Sequence, residues 1–250
     1  MKKFSLIATA VCLALSSISF ISCEKEDKDA ISIDVVQKGT QKIQGIDGKE
    51  YEVVDLGFPS KILWATCNIG ATSPEKYGDY FAWGEIQSKA KYDWTTYNHC
   101  NGSKLTIKKY YKVDENYGST DGKLALDSID DAATQLMGEK WNMPLRRDFS
   151  DLISRCDWKY CKLNGVWGCL FTSKENGNSL FLPHAGLMDV TMDVPEHLHT
   201  GSYGYYWSAD LYDTQDAYTL YFDRKSNPVH KQYQSREIGL PIRPVTYKNR

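Results

Sequence analysis

The sequence has little excess charge of either sign. Its 250 residues carry 30 lysines and arginines against 32 aspartates and glutamates, a net of −2. A nucleic-acid-binding face needs a clustered basic surplus, which this balance does not supply. Beyond the N-terminal segment no apolar run is long enough to span a bilayer. There is no G-x-S-x-G nucleophile elbow. No carboxylate pair stands out by spacing, although such a pair can be set by the fold alone. Cys156 and Cys161 have no second matched pair after them, so the cysteines do not form a zinc pattern. His197 and His199 stand two apart near Asp189, Asp193 and Glu196. Without a third placed ligand this reads as a polar loop and not as a metal site. No cofactor and no metal are expected.

The N-terminus does carry a signal. Lys2 and Lys3 precede the apolar run FSLIATAVCLALSSISFIS, which ends in small residues before Cys23. That is the layout of a secretory signal peptide over residues 1–22, not of a membrane span. A serine directly before a cysteine at the cut is the arrangement of a bacterial lipoprotein, with Cys23 as the lipidated first residue. The following EKEDKD is too polar to pack, so residues 23–45 are expected to be a flexible tether. The stretch also resembles the acidic export tag behind the lipid cysteine of Bacteroidetes surface lipoproteins. The resemblance implies an outer-membrane protein, lipid-anchored and facing the cell exterior. Five cysteines follow: Cys67, Cys100, Cys156, Cys161 and Cys169. An exported chain permits disulfides, and an odd number cannot all pair, so one or two bridges at most are expected.

From residue 46 to 250 the chain reads as one domain. EYEVVDLG (50–57) and KILWATCNIG (61–70) are expected strands, followed by an aperiodic stretch from Ile86 to about Asp121 that reads as long loops. Two helices are expected, over 128–138 and 141–156. Asp130 or Asp131 would cap the first and Gly138 would end it, while Pro144 would sit in the first turn of the second. A run of strands follows: GCLFTS, SLFLPHAG, YYWSADLY, AYTLYFD, PVHKQYQ and LPIRPV. Adjacent helices before a run of strands argue an α+β fold.

Five separated stretches together resemble one family: residues 54–85, 130–153, 178–186, 201–210 and 236–245, among them NSLFLPHAG, GSYGYYWSAD and REIGLPIRPV. The family is the Fibrobacter succinogenes major paralogous domain. The resemblance implies a C-type-lectin-like fold close to the formylglycine-generating enzymes, with two helices beside a twisted, mostly antiparallel sheet and long loops on one side. No activity carries over with it. The formylglycine-generating enzymes need a late cysteine pair, and this chain has no cysteine after Cys169. The lectin calcium tripeptides are absent too: Trp141-Asn142 is followed by Met143. Where the family usually has threonine after WRMP, this chain has Leu145. The capping box with Asp148 therefore loses its hydroxyl, which removes about 1 kcal/mol.

Residues 201–223 concentrate tyrosine and tryptophan, the side chains on which sugars and proteins stack. Strand alternation puts Trp207 inward, with Tyr218, Leu220 and Phe222 as core, and leaves Ala217, Thr219 and Tyr221 half exposed. The candidate ligand-binding residues are Tyr203, Tyr212, Asp213, Tyr221, Lys231, Tyr233 and Arg236. Ser128, in Asp127-Ser128-Ile129, resembles the O-glycosylation acceptor of exported Bacteroidetes proteins. The expectation is a non-catalytic surface domain binding a glycan or protein ligand through its loops, with the membrane as anchor and no nucleic acid. The alternatives are a structural or tip subunit of a fimbria-like assembly and a hydrolase with acids hidden by the fold.

Overall fold

The computed structural model describes residues 27–111, 121–191, 194–224 and 229–248, and for residues 190–198 it describes the backbone only. Cys23 and the signal segment lie outside the described residues. Among the described residues the architecture is α+β, with three α-helices and several largely antiparallel sheets.

The chain packs earlier than its polarity suggests. Residues up to 45 are expected as tether, yet β1 (Ala30–Ile31), α1 (Asp34–Gln37) and β2 (Thr40–Gln44) are ordered parts of the fold. β1 pairs in parallel with β5 (Cys156–Leu163), and Lys162 meets Asp27 in an ion pair. Val36 is buried with Leu163, Leu170 and Phe181 under this segment. The expectation failed because few apolar residues hold the segment down, spaced too widely to stand out from the charge around them.

β2 pairs with β3 (Glu50–Asp55), β3 with β4 (Ile62–Ala65), and β4 with β13 (Val245–Tyr247). β5, β6 (Val166–Ser173) and β7 (Ser179–Pro183) form a second sheet. A third holds β10 (Tyr203–Leu211), β11 (Asp216–Asp223) and β12 (His230–Ser235). β8 (Leu187–Thr191) and β9 (Val194–Leu198) make a separate hairpin. Sequence reading missed β5, β8 and β9. It also placed a strand at LPIRPV, where the backbone is irregular from Pro241 to Pro244 and β13 starts only at Val245.

Two cores explain the weak alternation. Val53, Leu63 and Ala65 face one core with Trp83, Trp141 and Trp207, while Val54, Ile62 and Trp64 face the other with Phe149, Phe171 and Phe222. The β10–β11 strands are likewise covered on both sides, so Ala217, Thr219 and Tyr221 are buried and not half exposed. Strands buried on both faces lose the in-out period from which exposure is read.

Both expected helices form. α2 spans Ala132–Met137, with Asp131 Oδ1 accepting from the Thr134 N–H at 2.9 Å, and Gly138 at φ 107° ends it. α3 spans Arg146–Arg155 and starts after Leu145, so Pro144 precedes the first turn and does not sit in it. Asp148 accepts from the Leu145 N–H at 2.8 Å, and the leucine has no acceptor to complete the box. The long loop after Ile86 is held by a tyrosine core. Tyr92 donates to the Tyr80 carbonyl at 2.5 Å, and Tyr97 donates to the Trp83 carbonyl at 2.7 Å.

Candidate functional site

The turn from β10 to β11 sets the most exposed aromatic surface. Asp213 Oδ1 accepts from the backbone N–H groups of Gln215 and Asp216, at 2.8 and 2.9 Å, and closes the turn. The chain then runs back so that Tyr218 opposes Tyr233 on β12. Tyr212, just past the end of β10, lies ring on ring with Tyr233: the centroids are 4.1 Å apart and the planes 2° from parallel. Tyr218 meets the edge of Tyr212 at 5.2 Å. The Arg146 guanidinium, at the start of α3, stands 4.3 Å from the Tyr218 ring centroid. Tyr233 keeps 48% of its surface exposed. A cleft of about 400 Å³ opens beside Tyr218, walled by Leu124, Arg146, Arg147 and Asp210. It shares Leu145 and Arg147 with a second cleft of about 410 Å³ that runs on to Tyr247. Asp210 fixes this edge, accepting from the Arg146 N–H at 2.5 Å.

Of the expected contact residues, Tyr212, Asp213 and Tyr233 come together here. Tyr203 and Tyr221 belong to a different, inward cluster with Tyr205, where Tyr221 is 8% exposed and donates to Asp223. Lys231 is tied back to α3, donating to Ser150 Oγ at 2.9 Å. Arg236 is fully buried and is a framework residue, contrary to the expectation that it faces outward. Its guanidinium donates to the carbonyls of Tyr110, Thr214 and Lys109 and to the Tyr97 hydroxyl, over the face of Trp83. Arg243, in the same REIGLPIRPV run, is buried too and donates to Asn68 Oδ1 and the Ala65 and Thr66 carbonyls. Arg236 reads as surface because charge usually does. Here both arginines supply donors to loop carbonyls that no regular ladder satisfies.

Sequence reading missed Tyr218 and Arg146. Tyr218 follows the parity of Leu220 and Phe222, which are core, but sits two residues nearer the turn, half-buried against Tyr212 and Arg146. Trp207 is fully buried, as expected. Ser128 is exposed at the start of a 3-10 turn, Ser128–Asp130, with the 61%-exposed Ile129 beside it. Cys67, Cys100, Cys156, Cys161 and Cys169 are all free thiols. His199 packs its ring on Tyr203 at 4.7 Å, and the side chain of His197 lies outside the described residues. Among the described residues no group of three histidines, cysteines or acids could hold a metal ion. No described helix is long and apolar enough to cross a membrane.

Burial raises the pKa of four described carboxyls: Asp131, Asp148, Asp216 and Glu237. Burial pushes Glu237 up to about 7, helped by the nearby Asp189 and Asp216, and pushes Asp216 up to about 6, helped by Asp213. Such values suit a general acid, but neither Glu237 nor Asp216 lines the two clefts beside the tyrosines, and Asp131, which lines one of them, is held by the Thr134 and Met143 N–H groups.

The fold and this surface define an α+β domain with a stacked tyrosine pair, Tyr233 exposed and Tyr212 half-buried, at the edge of a three-stranded sheet. The profile of a family described as a domain of unknown function (DUF8237) matches residues 170–245, the part that contains this sheet. Comparison with curated proteins and with solved structures returns no match.

Proposed function

We propose that the chain is a non-catalytic binding domain of C-type-lectin-like fold, held by a lipid on Cys23 at the outer face of a Bacteroidetes outer membrane. In this reading it takes a glycan or protein ligand on the Tyr212–Tyr233 surface. The observation that carries the reading is the stacked, parallel tyrosine pair with Arg146 and the Tyr218 cleft beside it. A sugar presents C–H groups to an aromatic face, while its hydroxyls need polar partners at the rim. Tyr233 offers the face, and Arg146, Arg147 and Asp210 offer the rim. A protein ligand would use the same groups, since tyrosine and arginine dominate contact energies at interfaces.

The test is a glycan array and a panel of extracellular-matrix proteins probed with the purified chain and with Tyr233→Ala. Binding by the parent that the variant loses supports the reading. Silence on both panels at high protein concentration, or binding indifferent to Tyr233→Ala, refutes it.

A further inference from the structure

A cleft of about 690 Å³, larger than the two beside the tyrosines, lies between the β3–β4 strands and the loop from Ile69 to Asp79. Its chemistry is lopsided. Asp47, Glu50, Glu52, Glu75 and Asp79 line it, and Lys49 is the cation among the lining residues, already paired with Asp47 at 2.9 Å. Glu52 accepts from the Thr40 hydroxyl at 2.8 Å. Arg243 is buried behind Cys67 without lining the cleft, and it donates to backbone carbonyls and to Asn68.

Acid count alone would say little. The second observation is Glu75. It is 7% exposed, and its Oε2 is buried with no hydrogen-bond partner among the described residues. Burial alone would raise its pKa, but its own amide, Ser73 and Asn164 hydrogen-bond the carboxylate and hold it below the usual range. It is therefore an anion at neutral pH with one oxygen left over. An unpaired carboxylate oxygen held out of water is costly unless something cationic meets it. The same cleft also carries apolar lining, from Ile69, Leu136, Met137 and Pro244.

We propose that this cleft binds an organic cation: an alkylammonium whose head meets Glu75 Oε2 and whose methylene stem lies along Ile69, Met137 and Leu136. An ammonium carries three N–H donors and needs no preset coordination sphere. A divalent metal fits less well, because no three ligating side chains converge among the described residues. The ligand class includes a lysine side chain on another protein and a free polyamine, and the two share the same head and stem.

Calorimetry on the full chain with cadaverine, neutral 1,5-pentanediol and calcium chloride tests this. Cadaverine is expected to bind, pentanediol not to bind, and Glu75→Gln to weaken cadaverine at least about tenfold. Bound cadaverine is also expected to slow alkylation of Cys67, which lines the cleft and is the partly exposed thiol among the five described cysteines. Should Glu75→Gln fail to fold, Leu136→Lys at the exposed wall places a competing ammonium in the cleft and is expected to weaken cadaverine with the fold intact. Pentanediol binding as well as cadaverine, calcium binding abolished by Glu75→Gln, or cadaverine binding unmoved by either substitution each overturns the proposal. A lysine-rich peptide that competes with cadaverine assigns a protein-borne source; competition by spermidine alone assigns a free polyamine.

Discussion

Tyr212 and Tyr233 reach the same point from different strands, one just beyond β10 and the other on β12, and stack 4.1 Å apart. Neither ring is needed for either core. Tyr233→Ala is therefore expected to leave stability within about 1 kcal/mol of the parent while reducing ligand binding at least about tenfold. Thermal unfolding and binding to the strongest array hit, measured side by side, check both halves. A large loss of stability would make the pair structural.

Arg236 is expected to behave in the opposite way. Arg236→Met leaves three loop carbonyls and the Tyr97 hydroxyl without their donor. The expected cost is about 3 kcal/mol or more in urea unfolding, with any remaining folded protein still binding ligand. Lys231→Ala, which removes one partly exposed hydrogen bond to Ser150, is expected to cost less than about 1 kcal/mol.

These two residues show where the sequence was legible. The α+β class, both longer helices, the cap at Asp131 and the inward Trp207 follow from spacing and cap chemistry. The outward or inward placement of the late residues does not. It depends on partners distant in sequence: Arg236 reaches Tyr97, Lys109 and Tyr110, and Lys231 reaches Ser150 of α3. Tyr221 is buried among Tyr203, Tyr205 and His230, while the half-buried Tyr218 meets Tyr212 and Arg146. The Glu75 cleft was equally invisible, since its walls come from α1, β3, the 70–79 loop and Asn164.

Asp131 serves two chain segments at once. Its Oδ1 caps α2, and its Oδ2 accepts from the Met143 N–H at 2.8 Å just ahead of α3. Asp131→Ala is expected to cost about 2–3 kcal/mol, more than a cap alone, because a buried N–H is also orphaned. Denaturant unfolding of Asp131→Ala beside Ser128→Ala separates the cap from general effects of change in this turn.

Stability is expected to carry a signature from Glu237 and Asp216. Their folded pKa values, about 7 and about 6, lie above the ordinary values of 4.5 and 3.8. Between those limits the folded state holds more protons than the unfolded state. Their contribution is therefore intact below about pH 4 and is lost as pH rises through 6 to 7. Glu237→Gln removes its share, so the variant is expected to gain stability relative to the parent on going from pH 5 to pH 7.5. A relative change of the opposite sign refutes the assignment.

The last described residues close the molecule. Arg236 reaches back to Lys109 and Tyr110, Arg243 to Ala65 and Thr66, and β13 completes the sheet begun by β2 and β3. Both cores draw on this stretch, Ile238, Leu240 and Ile242 in one and Val245 in the other. Damage to residues 236–247 would thus open both hydrophobic interiors at once, where damage to an edge strand would fray only one.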